Sequence, residues 1–198
     1  MNLIKTPLVL KGQLIELVSL DKAHFDALEK LASEEKIWQF YPFDLANPEN
    51  FKATLPAALE ERERGSQFPF TIFYKEQIIG STRYMDIQPK HKKLEIGFTW
   101  MQSDYWGSGI NTECKFLLLQ YCFEYLDIQR VHIKTDETNI RSRKAIEKIG
   151  GQFEGIIRND MVRDNGTKRN SASYSIIDQD WQHVKAHLLQ MLGVTVLD

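Results

Sequence analysis

The sequence predicts one α/β (α+β) domain, and three adjoining segments carry that prediction. Leu94-Glu95-Ile96-Gly97-Phe98-Thr99-Trp100 alternates with period two, a strand with Leu94, Ile96, Phe98 and Trp100 on one face and Glu95, Gly97 and Thr99 on the other. Next, Tyr105-Trp106-Gly107-Ser108-Gly109-Ile110-Asn111-Thr112-Glu113 sets two glycines between that strand and a helix. In the helix, Ile110, Cys114, Leu117, Leu118, Tyr121 and Tyr125 form one apolar stripe, while Phe116, Leu119, Phe123 and Leu126 form a second, so it is expected between layers. A chain turning at Gly107 and Gly109 can aim successive N–H groups at an anion, and the helix start adds unpaired donors and a positive dipole end. Open α/β sheets bind ligands at such places. Gly-x-Gly is also an ordinary tight turn, so its surroundings must decide between the two readings.

The remaining elements follow in order. Gln13 to Val18 reads as a strand, then a helix capped near Ser19 or Asp21 turns Phe25, Leu28 and Leu31 inward. Trp38-Gln39-Phe40-Tyr41-Pro42-Phe43 is too aromatic for an ordinary loop. A helix over about 48–64 ends in the charged run Glu60 to Arg64 before Gly65. Phe70 to Lys75 and Ile78 to Asp86 pattern as a hairpin around Glu76-Gln77. Val131 to Thr135 alternates as a strand, and a helix starting at Asn139 closes on the glycine cap Gly150. Asp164-Asn165-Gly166-Thr167 is the strongest hairpin turn signal, joining Phe153–Val162 to Arg169–Ile177. A last helix begins at Asp180-Trp181, and the tail from Gly193 to Asp198 reads as an edge strand or a frayed end.

Composition narrows the function classes. In 198 residues, 42% hydrophobic, Lys plus Arg number 25 against 27 Asp plus Glu, so no global field favours nucleic acid or an acidic membrane. The basic run Lys90-His91-Lys92-Lys93 reads as a solvated turn. No apolar stretch reaches membrane length, and the amino terminus has no signal core, which together point to a cytoplasmic protein. Cys114 and Cys122, about 12 Å apart along one helix at 1.5 Å per residue, cannot bridge and read as core. His183 and His187 have zinc-compatible spacing without an evident third ligand, so no metal is expected. Neither nucleotide fingerprint fits: Gly-x-Gly-x-x-Gly would need glycine at Thr112, and the Gly-Lys-Ser/Thr ending of a P-loop is absent.

Trp106-Gly107-Ser108-Gly109-Ile110-Asn111 resembles the signature Gln/Arg-x-x-Gly-x-Gly/Ala of the Gcn5-related N-acetyltransferases, matching at Gly109 and departing at both ends. Its Trp-Gly-x-Gly form is similar to the branch that modifies ribosomal-protein N-termini. Asn139-Ile140-Arg141-Ser142 with Glu147, Gly150 and Gly151 resembles the family's second cofactor segment, with Gly151 in place of an aromatic residue. Phe153-Glu154-Gly155, Tyr174 to Ile177 and Trp181 match the same branch, so the resemblance spans roughly 8–185, leaving 186–198 as helix end and tail. It implies a central mixed, mostly antiparallel sheet of about seven strands flanked by helices, with a splayed strand pair holding acetyl-CoA as co-substrate.

The implied reaction is direct acetyl transfer to an amine. On that reading Phe98, Thr99, Trp100 and Met101 offer backbone contacts to pantetheine and to the oxyanion. Trp106, Gly107, Ser108, Gly109, Ile110, Asn111 and Thr112 cradle the pyrophosphate, and Asn139 and Ser142 complete the cofactor site. Ser142 is the candidate acid for the thiolate, although Asn139 and Ser142 also fit a plain N-cap pair. Glu95 and Glu154 are the candidate bases, each open to a structural role instead. Trp38, Phe40, Tyr41 and Tyr84 are candidates for the acceptor cleft, of which about two are expected to face a pocket. A free α-amine, with pKa about 8, is about 3.5 kcal/mol easier to present neutral than a lysine, so absence of a declared strong base favours easier acceptors. A coenzyme A sensor without catalysis, or an interaction module, remain as other readings, and a homodimer is left open.

Overall fold

Period-two runs become the strands of one sheet, and the two helical layers cover its two faces. The computed structural model describes residues 2–194. The strands are β1 (Val9–Lys11), β2 (Ile15–Ser19), β3 (Phe68–Tyr74), β4 (Gln77–Gln88), β5 (Lys93–Met101), β6 (Arg130–Asp136), β7 (Gln152–Val162) and β8 (Lys168–Ile177). Their spatial order is β1-β2-β3-β4-β5-β6-β8-β7, antiparallel everywhere except between β5 and β6. The eighth strand, beyond the seven expected, is the three-residue edge β1, too short to carry a period-two pattern. Helices are α1 (Phe25–Ala32), α2 (Pro48–Arg64), α3 (Ile110–Glu124), α4 (Ile140–Lys148) and α5 (Trp181–Met191).

Local chemistry places most boundaries. Asp21 accepts from the Ala23 N–H and leads through a 3-10 turn into α1, while Ser19, the other expected cap, ends β2 and bonds both polar groups of Leu8. α2 is capped by Asn47, starts with Pro48 and stops at left-handed Gly65. Lys75 and Glu76 form the β3–β4 turn, both with positive φ, so the hairpin turns one residue earlier than expected. Gly166 turns the β7–β8 hairpin at φ 79, where the sequence signalled it.

Two apolar clusters flank the sheet. α1 and α2 contribute Leu28, Phe51 and Leu55 to one; α3, α4 and α5 contribute Leu118, Ile146 and Leu188 to the other. Cys114 and Cys122 are fully buried in the second, and burial pushes the Cys114 thiol up to about 11. Ile4 and Leu188 join that core from outside 8–185. Glu113 ties α3 to the far edge: at 3% exposure, its carboxylate accepts the N–H groups of Gln13, Leu14 and Ile15 at 2.6, 2.9 and 3.0 Å. Gly193 and Val194 follow α5 without joining the sheet, while 195–198 lie outside the described residues.

Candidate active site

The sheet opens where β5 meets β6. They pair only at Lys93↔Arg130, Leu94↔Val131 and Glu95↔His132; beyond these, β5 continues to Met101 and β6 to Asp136 without pairing with each other. On its other side β5 carries a bulge: Ser81 faces Trp100 and Arg83 faces Gly97, so Phe98 and Thr99 together oppose Thr82. A bulge bends a strand and raises its twist, which carries β5 away from β6. Phe98 adopts φ 48, a strained geometry costing about 1–3 kcal/mol. It is held by aromatic packing on Trp38 and Tyr41 and by the Arg83 guanidinium, 4.0 Å from its ring centre.

The bulge corrects the strand alternation. Leu94 and Ile96 face the α3 layer as expected, but Phe98 and Trp100 pack with Trp38 toward α1 and α2, and Met101 takes the α3 side. The split holds a cavity of about 610 Å³. Gly97 to Met101 form one wall; Thr135, Asn139 and Ser142 face them from β6 and α4.

At the mouth lies the glycine loop. Gly107 and Gly109 have φ 76 and 87, and Gly109 begins α3 with no side chain capping it, so the first-turn N–H groups stay open to an anion. Trp106 Nε1 donates to the Met101 carbonyl at 3.1 Å, which fixes the loop to the end of β5. Arg141 lies 3.7 Å over the Trp106 ring and lines the same mouth. By contrast α4 is capped: Asn139 Oδ1 accepts the Ser142 N–H at 3.0 Å, the N-cap geometry, while Ser142 itself lines the cavity.

Deeper in, Glu95 lies on the cavity wall with Oε2 3.1 Å from His132 Nδ1, and His132 Nε2 is 2.9 Å from Ser173 Oγ. This chain sits at the last paired position before the sheet opens. Phe40 and Tyr41 line the cavity, and the Tyr41 phenol, kept protonated by burial, donates to the Thr99 carbonyl at 3.1 Å.

Other expected residues lie elsewhere. Trp38 is 5% exposed and donates to the Ala32 carbonyl; Tyr84 is 0% exposed and donates to that of Leu118, so both are core. Their indole and phenol found backbone acceptors, which sequence spacing does not reveal. Glu154 is outside the cavity wall: Arg130 binds it through both terminal nitrogens at 2.7 and 2.5 Å, Ser175 at 2.9 Å, and the Arg130 contact holds its carboxyl below the usual range. Ile110 packs its side chain into the core, and Ser108, Gly109 and Thr112 fall outside the cavity lining, with the Ser108 hydroxyl donating to the Tyr105 carbonyl.

Sequence reasoning passed over Arg141, Lys115 and His132. Lys115 had a signal: it follows Asn111 by four residues, a polar row along an otherwise apolar helix. Arg141 and His132 carry no local signal, since each gains its role from a partner on another element.

The split sheet and its open helix start define a GNAT-type acetyltransferase, and comparison agrees. A family model described as an acetyltransferase (GNAT) domain matches residues 15–152. The chain belongs to this family. A solved GCN5-related N-acetyltransferase from Brucella melitensis superposes with TM-score 0.86 at 26% identity, over 95% of this chain and 86% of that one. The ribosomal-protein-serine acetyltransferase of Escherichia coli (strain K12) is 24% identical over 73% of this chain and 82% of its own length. The ribosomal L7/L12 alpha-N-protein acetyltransferase RimL in complex with coenzyme A shares the fold, with TM-score 0.76 at 23% identity over 87% of this chain and 100% of that one.

Proposed function

We propose that the protein moves the acetyl group of acetyl-CoA directly to a primary amine, a protein N-terminus or a small molecule, in a ternary complex. One observation carries the reading: the unpaired edge of β5 beyond Glu95 leads from the uncapped start of α3 into the cavity. The residues fit coenzyme A on this ground. Open N–H groups and Arg141 suit a pyrophosphate, and the exposed strand edge suits the pantetheine amides. A relative named as a ribosomal-protein-serine acetyltransferase supports a protein amine as one acceptor class.

The chain's own groups then divide the work. Backbone N–H groups of Phe98 to Met101 hold the thioester and meet the developing oxyanion. Glu95, oriented by His132, takes the proton of the attacking amine directly or through water. Ser142 offers a hydroxyl to the departing sulfur. Phe40 and Tyr41 wall the acceptor side.

The test is release of free thiol from acetyl-CoA against pooled dipeptides, amino acids, polyamines and aminoglycosides. Turnover with any pool supports the reading. Binding without release from every pool makes the protein a coenzyme A sensor. A missing thermal shift leaves an interaction module, because a ligand at about 100 times its Kd stabilises by about 2.7 kcal/mol.

A further inference from the structure

We propose that Lys115 is a catalytic cation whose ammonium pairs with the thiolate leaving the acyl thioester, an inference that rests on the acetyltransferase reading above. Lys115 lines the cavity yet is only 6% exposed. Its Nζ has one hydrogen-bond partner among the described residues, the neutral Thr99 Oγ1 at 2.5 Å, and no carboxylate. Lys134, on the same cavity wall, is by contrast 3.3 Å from Asp160. A buried ammonium without a counter-charge is costly, and such groups concentrate at functional sites. Burial lowers the Lys115 ammonium from its ordinary pKa, a penalty that an anionic neighbour would offset.

Position tells which anion. Asn111 and Lys115 share one face of α3, so Lys115 lies one turn further from the glycine loop, about 6 Å along the axis. Thr99 follows the strained Phe98 in the bulge, where β5 has parted from β6. A ligand with its phosphates at the loop and its arm along β5 therefore brings its far, sulfur end toward Nζ. In the step itself the amine nitrogen bonds to the carbonyl carbon, the C–S pair passes to sulfur, and the surplus amine proton goes to Glu95 or water. The thiolate remains beside the ammonium, with the Ser142 hydroxyl as its second hydrogen-bond donor, until it leaves or is protonated by solvent.

The other titratable groups on the wall are Tyr41, Asp86, Glu95, Lys134, Arg141 and Arg169, with Cys114 beside Lys115 on α3. The test follows the ionisation of the bound coenzyme A thiol by thiolate ultraviolet absorbance, with desulfo-coenzyme A as blank for the protein's own groups. In the wild type the bound thiol should ionise at least about one pH unit below the value measured for free coenzyme A in the same buffer, a tenfold effect. Lys115→Met should abolish that shift, Lys115→Arg should keep most of it, and desulfo-coenzyme A should bind both within about twofold. A bound thiol that ionises at the free value in the wild type, or equally low in Lys115→Met, overturns the proposal. If Lys115→Met fails to fold, Lys115→Gln carries the same comparison, and the wild-type arm alone can still overturn the proposal. Absence of any coenzyme A binding to the wild type would instead remove the proposed function, and this inference with it.

Discussion

The Tyr41 phenol donates to the carbonyl of Thr99, 58 residues away, on the cavity wall. The loop that carries Tyr41 is itself tied to the β7–β8 hairpin, since the Asp164 N–H donates to the Pro42 carbonyl at 2.9 Å. The bulge that opens the sheet is thus pinned by a segment far away in sequence.

Tyr41→Phe should remove that pin while keeping the ring packing on Trp38 and Phe98. Stability should fall by about 1 kcal/mol, the usual net worth of one hydrogen bond. Acetyl-CoA affinity should hold within about twofold while turnover drops several-fold. Urea unfolding, calorimetric titration and thiol-release kinetics read the three effects; unchanged turnover would show that the pin has no catalytic consequence.

Gly109 stands at φ 87, so a side chain there strains the backbone even though an added Cβ meets nothing within 4 Å. Gly109→Val should cost about 1–2 kcal/mol of stability. It should also weaken coenzyme A at least about tenfold by disturbing the open N–H groups. Gly109→Asn, better suited to the left-handed region, should recover stability without recovering full affinity. Calorimetric titration of both variants separates strain from the loss of the cradle.

Glu154→Gln should leave acetyl transfer within about twofold of wild type, because its carboxylate faces Arg130 and Ser175. Its folded pKa is depressed, so its contribution to stability is present above the unfolded value near 4.3 and is lost as pH falls through the folded value. The pair is partly exposed, which limits that contribution to under about 1 kcal/mol. Denaturation at neutral and acid pH tests the sign: the variant should differ from wild type only at the higher pH.

Glu113→Ala should be the severe substitution. It leaves three backbone N–H groups without their carboxylate and opens a cavity under the β1–β2 turn. A loss of about 3 kcal/mol or more is expected, since buried orphaned donors carry the full desolvation penalty. Chemical denaturation measures it, and a loss under 1 kcal/mol would mean water replaces the carboxylate.

Glu95→Gln should slow transfer at least about tenfold without changing coenzyme A affinity, since a carboxamide keeps the shape and loses the proton acceptor. Kinetics at saturating acetyl-CoA, paired with calorimetry, provide the check.

Elements set by neighbours in sequence were legible from the residues themselves. The α2 limits follow from Asn47, Pro48 and Gly65; the β7–β8 turn follows from Asn165-Gly166; and the start of α3 follows from Gly109. Each depends on backbone preference or a cap within a few residues. Glu95, Phe40, Tyr41, Asn111 and Ser142 stand out in the sequence by type and spacing, and all line the cavity. Tertiary structure alone separated Phe40 and Tyr41 on the wall from Trp38 and Tyr84 in the core, because aromatic side chains suit either place until the packing of distant elements decides which of them is covered. It alone gave Glu154 to Arg130, Glu113 to the β1–β2 turn and Lys115 to Thr99. The bulge at Phe98 shows why: one extra residue in β5 reverses which side chains face which layer, and only the register with β4 decides whether that residue is there.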